Sequence, residues 1–113
     1  MGRGRIIWPA ILKYKGENEL AYISSQSDWD NDADLHVFAY EIDDQLIDSQ
    51  GFVYSLSYRK NNFVVPEQTN RSLSLCEVSE LIKAHLSELG SCCVSTVFFP
   101  SIKDALAMMH SSD

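Results

Sequence analysis

Residues 8–15 alternate, with Trp8, Ala10, Leu12 and Tyr14 on one side of an extended chain and Pro9, Ile11, Lys13 and Lys15 on the other. This period of two predicts a strand with one apolar face, Pro9 suiting its start or an edge position. Gly16-Glu17-Asn18 has turn composition, so residues 20–24 return as the second strand of a hairpin. Residues 24–34 offer little but Trp29 to bury and predict a loop or a single helical turn. His36, Phe38, Tyr40 and Ile42 then share one parity, which predicts a further strand, reversed at Asp43-Asp44 into residues 45–48. Gly51 permits another reversal into residues 52–58, where Phe52, Tyr54, Leu56 and Tyr58 oppose Val53, Ser55, Ser57 and Arg59. Residues 59–71 are polar except for Phe63-Val64-Val65 before Pro66, which read as an edge strand or a docked loop.

The second half changes period. Ser74 and Glu77 form a capping box, and Leu75, Val78, Leu81, Ile82, Leu86 and Leu89 follow as an apolar stripe at helical spacing that ends at Gly90. Residues 91–99 are apolar and β-branched, as a buried strand requires. Ser101 and Asp104 cap a last helix with Ile102, Ala105, Leu106 and Met109 inward. Strands first, then helices, without βαβ alternation or repeats, predict an α+β fold. Its sheet is mostly antiparallel, built from N-terminal hairpins, with two C-terminal helices packed on one face. On this reading residues 1–113 form a single domain and residues 1–6 a flexible N-terminal arm. The helices are expected to cover the aromatic sides of residues 8–14 and 52–58, leaving the opposite face wet or against a partner.

Composition narrows the function classes. A chain of 113 residues can hide about two-thirds of its unfolded surface and hold one core without disulfides or a metal. The formal charge is −7, and residues 17–48 carry ten carboxylates with no lysine or arginine. Such one-sided acidity argues against a nucleic-acid partner, because phosphate binding needs a basic patch. No run approaches the ~18 apolar residues that would span a bilayer. The short N-terminal apolar run is broken by Pro9 and followed by Lys13 and Lys15, which predicts a mature cytoplasmic protein rather than a secretory signal. Cys76, Cys92 and Cys93 are odd in number with two adjacent, and read as reduced thiols.

Trp8-Pro9-Ala10 opening a strand, Leu46-Ile47-Asp48-Ser49-Gln50-Gly51 before Val53-Tyr54, and the capped helix leading into Gly90-Ser91-Cys92-Cys93 carry a further signal. In these features the chain resembles a family of small bacterial proteins catalogued as domain of unknown function 4144. The resemblance covers nearly the whole chain and implies a compact domain, with no activity or site residues attached.

Candidate chemistry is sparse. Asp28, Asp30, Asp32 and Asp34 alternate as calcium ligands do, but against an EF-hand loop the glycine position is Ala33 and the final glutamate position is Ala39. A solvated acidic loop explains them better. Cys76 and His85 are nine residues apart on one helix and fall on opposite faces, so they cannot share a zinc ion. His85 lies beside the apolar stripe, as a packed histidine does. Cys92 and Cys93 have no adjacent cation or helix N-terminus to activate a thiolate. Phosphate-cradling loops, nucleophile elbows and dinucleotide fingerprints are all absent from the sequence. No cofactor or metal is therefore expected.

What remains is acidity combined with aromatics. Trp29 in an acidic loop, with Phe38 and Tyr40 following, predicts an anchor for a partner protein flanked by Asp28, Asp30, Asp32 and Asp34. The functional expectation is a non-enzymatic protein-interaction module or a homodimer pairing through a sheet edge at residues 8–15 or 20–24. The competing expectation is a small-molecule binder or enzyme with a pocket between sheet and helices, using His85, His36 and a carboxylate.

Overall fold

The computed structural model describes residues 6–37, 39–88, 90 and 99–111. The expected strand at 91–99 therefore lies almost wholly outside the described residues, as do Phe38, Cys92, Cys93 and residues 1–5. Strands β1 (Ala10–Lys13) and β2 (Leu20–Ile23) form the first hairpin, pairing Leu12 with Ala21 and Ile11 with Tyr22. The chain then leaves the sheet for two short helices, α1 (Gln26–Asn31) and α2 (Ala33–Val37). It returns as β3 (Gln45–Ile47) on the other side of β1 and reverses into β4 (Phe52–Ser55). A separate hairpin, β5 (Arg59–Lys60) with β6 (Phe63–Val64), turns through Asn61 and Asn62. Both asparagines have positive φ, 54° and 68°, the conformation that a two-residue hairpin turn demands and that asparagine tolerates. Strand β7 (Glu67–Ser72) then pairs antiparallel with β4 across a register shift. Helices α3 (Leu75–Glu88) and α4 (Ile102–Ser111) complete the chain, and the sheet order is β2-β1-β3-β4-β7.

Register sorts the side chains. Ile11, Ile47 and Val53 stand opposite one another in neighbouring strands and so share one face. With Leu20 they meet Val78, Ile82 and Leu86 of α3, Phe99, and Ala105, Leu106 and Met109 of α4. Leu12, Leu46 and Tyr54 form the adjacent row and point the other way, joining Ala10, Ile23, Leu56, Trp29 of α1 and Val64 of β6 in a second core. The fold is α+β as expected, with both C-terminal helices on one face, but it has three layers. The expected wet face is covered by α1, α2 and the β5–β6 hairpin, and the aromatic side of the strands faces this cover rather than α3 and α4. The reason is visible in β1, where Ala10, Ile11 and Leu12 are all fully buried, so both parities are core.

Three further expectations are corrected. Residues 8–15 are not an edge, because β1 lies between β2 and β3; β2 and β7 form the sheet's edges. The strand expected along 36–42 is replaced among the described residues: His36 and Val37 belong to α2, which Asp32 starts by accepting from the Asp34 amide (3.1 Å), and residues 39–44 carry a turn. The polar segment 67–72 is a strand after all. Both helix caps form as read: the Glu77 amide donates to Ser74 Oγ (3.2 Å), the Ser74 amide to Glu77 Oε1 (2.9 Å), and the Asp104 amide to Ser101 Oγ (3.2 Å).

Candidate functional site

The acidic segment is held by a buried knot. Ser25 caps α1 by accepting from the Asp28 amide at 3.1 Å, which sets Trp29 one turn in and facing the sheet. Trp29 is only 1% exposed, and its Nε1–H donates to the Val64 carbonyl at 3.2 Å. His36 closes the knot: its Nδ1 accepts from the Val64 amide (3.0 Å), so Nε2 carries the proton and donates to the Trp29 carbonyl (2.7 Å). The His36 ring meets Trp29 and Phe63 edge-on, at centroid distances of 5.3 and 4.9 Å. Trp29 is therefore core, and its expected role as an exposed anchor is withdrawn. A tryptophan with i+7 histidine gives no sequence pattern that distinguishes this from a surface aromatic.

Asp28, Asp30, Asp32 and Asp34 are exposed around that knot. Asp28 accepts from Ser24 Oγ, Asp30 from Gln26 Nε2 at 3.0 Å, and Asp32 caps α2, so each serves its own turn. Among the described residues there is no group of three His, Cys, Asp or Glu side chains that could hold a metal ion. Large apolar side chains are exposed in the neighbouring segments, Val37 at 76%, Ile42 at 86% and Phe63 at 48%, and the Arg59 guanidinium donates to the His36 carbonyl in α2. Tyr40 is half-buried and stacks on Tyr14, ring centroids 6.3 Å apart and 10° from parallel. Burial, then the charges of Asp44 and Asp32, holds the Tyr14 phenol above its usual value, and burial raises Tyr40 further, so both rings stay neutral.

Two carboxylates, Asp44 and Asp48, are buried instead. Asp48 is fully buried and accepts four hydrogen bonds. Oδ1 takes the Gln50 and Phe52 amides (2.9 and 3.0 Å); Oδ2 takes the Ile7 amide and the Tyr54 hydroxyl (both 3.2 Å). Burial and the Asp48 carboxylate push the Tyr54 phenol up to about 12. Ser49 adds a bond from Oγ to the Pro9 carbonyl (2.7 Å) and one from its amide to the Ile7 carbonyl (3.0 Å). The segments Trp8-Pro9-Ala10 and Leu46–Gly51 thus lock together, and every Asp48 lone-pair direction serves the fold. The only sequence signal for this was the Asp-Ser-Gln-Gly turn, whose Asp48 oxygen bonds the amide two residues on. Asp44, 4% exposed, accepts the Lys15 and Glu41 amides, each at 2.7 Å, and joins the β1–β2 turn to the 41–44 turn.

Beside Asp44 lies a groove of about 490 Å³ lined by Tyr14, Lys15, Glu17, Glu19, Leu20, Ala21, Glu41 and Asp44. It sits at the turn end of the first hairpin and not between the sheet and α3–α4, where fully buried Val78, Ile82 and Leu106 fill the space. His85 takes no part in it: its Nδ1 accepts from the Leu20 amide at 2.9 Å and ties α3 to the edge strand β2. His36 is in the opposite layer, so the two histidines do not form one site. Cys76 is exposed on α3.

No helix among the described residues is long and apolar enough to cross a membrane. No curated protein matches the chain. A solved structure, titled as the NMR structure of the protein from Shewanella Amazonensis, is 29% identical, with a TM-score of 0.70 over 100% of this chain and 99% of that one. Residues 8–109 match the family described as a protein structure with unknown function, a span that includes the Asp48 lock and the acidic face. The chain belongs to that family, domain of unknown function 4144.

Proposed function

We propose that this protein is a non-enzymatic, cytoplasmic interaction module whose docking face is formed by α1, α2 and the segment 39–44, and that its partner is a protein segment with basic residues around an apolar anchor. The observation that carries this reading is the pairing of highly exposed Val37 and Ile42 with the carboxylates Asp30, Asp32 and Asp34. Isolated exposed aliphatics are ordinary, but exposed Val37 and Ile42 follow closely in the chain on four exposed carboxylates, with the Arg59 guanidinium donating to the His36 carbonyl as the cation on this side, and apolar anchors within a predominantly acidic surface match the anchor-and-rim anatomy of interfaces. Negative potential would speed encounter with a basic partner and make binding salt-sensitive. The buried Trp29–His36–Val64 knot pins α1 and α2 from beneath and so supplies rigidity at Val37, while the Asp44 bonds to the Glu41 and Lys15 amides hold the turn that carries Ile42.

A random peptide display selected against the folded chain tests this. The selected sequences should place Lys or Arg around a bulky apolar residue. They should lose about tenfold in affinity for an Asp30→Lys/Asp32→Lys variant, and weaken as ionic strength rises. Selected peptides without basic residues, or with affinity indifferent to both charge reversal and salt, would overturn the proposal.

A further inference from the structure

The groove beside Asp44 has a lining that specifies one kind of occupant. Its apolar lining comes from buried Leu20, half-buried Ala21 and Tyr14, whose ring lies nearly parallel to that of Tyr40. Carboxylates of Glu17, Glu19 and Glu41 stand on the rim and Asp44 lies within, against the single ammonium of Lys15. That ammonium is directed to Asp43 at 3.9 Å, and the Lys13 ammonium donates to the carbonyls of Tyr14 (3.2 Å) and Glu17 (2.5 Å). Among the described residues no cation is placed against Asp44, which is nine-tenths buried. Each of its oxygens accepts one backbone amide and keeps a second lone pair. A cation reaching such an anion is attracted at a lower effective dielectric than in water, and the lone pairs left on Asp44 offer the hydrogen bonds needed to offset the cost of desolvating both charges.

We infer that this groove is the subsite for one arginine or lysine side chain of the partner, an inference that rests on the interaction-module reading above. The alkyl stem of such a side chain lies along Leu20 and Ala21, its cationic head passes the neutral Tyr14 ring, and the charge ends at Asp44 and Glu41. The chain places this groove next to the docking face through Tyr40, which stacks on Tyr14, and through Asp32, whose charge acts on both phenols. A segment that docks on Val37 and Ile42 can therefore reach it with one long basic residue.

The test uses Nα-acetyl-arginine methylamide and its neutral isostere Nα-acetyl-citrulline methylamide, added to the intact ¹⁵N-labelled chain. Arginine should shift the amides of Lys15, Glu19, Ala21 and Glu41 in a saturable way, and citrulline should leave them in place. A Glu19→Gln/Glu41→Gln variant, whose altered side chains are exposed, should bind arginine about threefold to tenfold more weakly while keeping the wild-type spectrum elsewhere. Equal shifts from citrulline, or no shift with arginine, would overturn the inference. The two readings fail separately. A display-selected peptide that is lost by Asp30→Lys/Asp32→Lys but unaffected by Glu19→Gln/Glu41→Gln rejects the groove and keeps the module. Arginine binding in the groove with peptides indifferent to Asp30 and Asp32 rejects the docking face.

Discussion

Asp48→Asn removes a charge at nearly constant volume, and the geometry says what it costs. The amide oxygen of the new side chain can take over the Oδ1 position and keep the Gln50 and Phe52 amides, at 2.9 and 3.0 Å. The amide nitrogen then stands where Oδ2 accepted from Ile7 and Tyr54. Tyr54 can turn its hydroxyl to accept, but the Ile7 amide has no such freedom and meets another donor. One charge-assisted bond is lost with its donor left part-buried, and the two retained bonds lose their ionic partner, which together comes to about 2–4 kcal/mol. For a domain whose whole stability is about 5–15 kcal/mol, that is a large fraction. Urea unfolding followed by far-UV circular dichroism and by the fluorescence of Trp8 and Trp29 should show a lower midpoint with an unchanged slope. A midpoint corresponding to less than ~0.5 kcal/mol of change would refute the reasoning, because it would mean that the buried charge is not what these four donors are arranged around.

The remaining predictions concern the fold around the same sites. Trp29→Ala should cost about 3–5 kcal/mol in thermal unfolding, since it empties a buried ring and orphans the Val64 carbonyl; a loss under ~1 kcal/mol would return Trp29 to the surface. Gly51→Ala should cost more than ~2 kcal/mol, because Gly51 has φ +87° and an added Cβ would sit 2.3 Å from the Leu73 carbonyl oxygen; wild-type stability in a melt would contradict that geometry. Alkaline unfolding should set in between pH 10 and 12. Tyr54 keeps its proton in the folded chain up to about 12, whereas an unfolded tyrosine loses it near 10, so its contribution is whole below pH 10 and gone once the folded value is passed. Phenolate absorbance rising fully at pH 10 while the ellipticity stays native would contradict it.

Parts of this fold that local chemistry decides were legible in the chain. Ser74 with Glu77 and Ser101 with Asp104 close their own helix ends, and the 45–48 and 52–58 segments turn about Gly51 on their own account. Parts that distant atoms decide were not. The parity of His36, Tyr40 and Ile42 suits a strand, yet His36 is claimed by the Trp29 carbonyl 7 residues away and the Val64 amide 28 residues away, and these bonds override period two. Strand β7 went unread because an edge strand needs no buried face, and Glu67–Ser72 has none to show. The cover on the second core was equally hidden, as α1 buries a single side chain, Trp29. The groove had no local signature, being assembled from residues 14–21 and 41–44, which meet through the β1–β3 pairing, the Tyr14–Tyr40 stack and the bond from the Lys15 amide to Asp44.

The acidity of the chain, one property in the composition, divides in the fold into two with opposite consequences. Asp44 and Asp48 are enclosed by backbone amides that hold turns together, so their charges stabilise the folded form and are unavailable to a partner except through the open side of Asp44. Asp28, Asp30, Asp32 and Asp34 are exposed on two short helices and the residue between them, and among the described residues Asp28, Asp30 and Asp32 accept from neutral donors. Like charges so placed repel one another, weakly at physiological ionic strength where screening acts over ~8 Å, and among the described residues none of the four forms an ion pair. The folded state bears that repulsion whenever the face is empty and sheds it when a cation docks. Adding salt to the free protein should therefore stabilise it, while the same salt loosens a bound basic peptide. The opposite signs of those two dependences, measured on one sample by thermal unfolding and by titration, separate an acidic face shaped for a basic partner from acidity that only keeps the surface hydrated. If salt weakens neither the repulsion nor the complex, the charge on α1 and α2 is ornamental to binding, and the exposed Val37 and Ile42 would have to account for recognition by themselves.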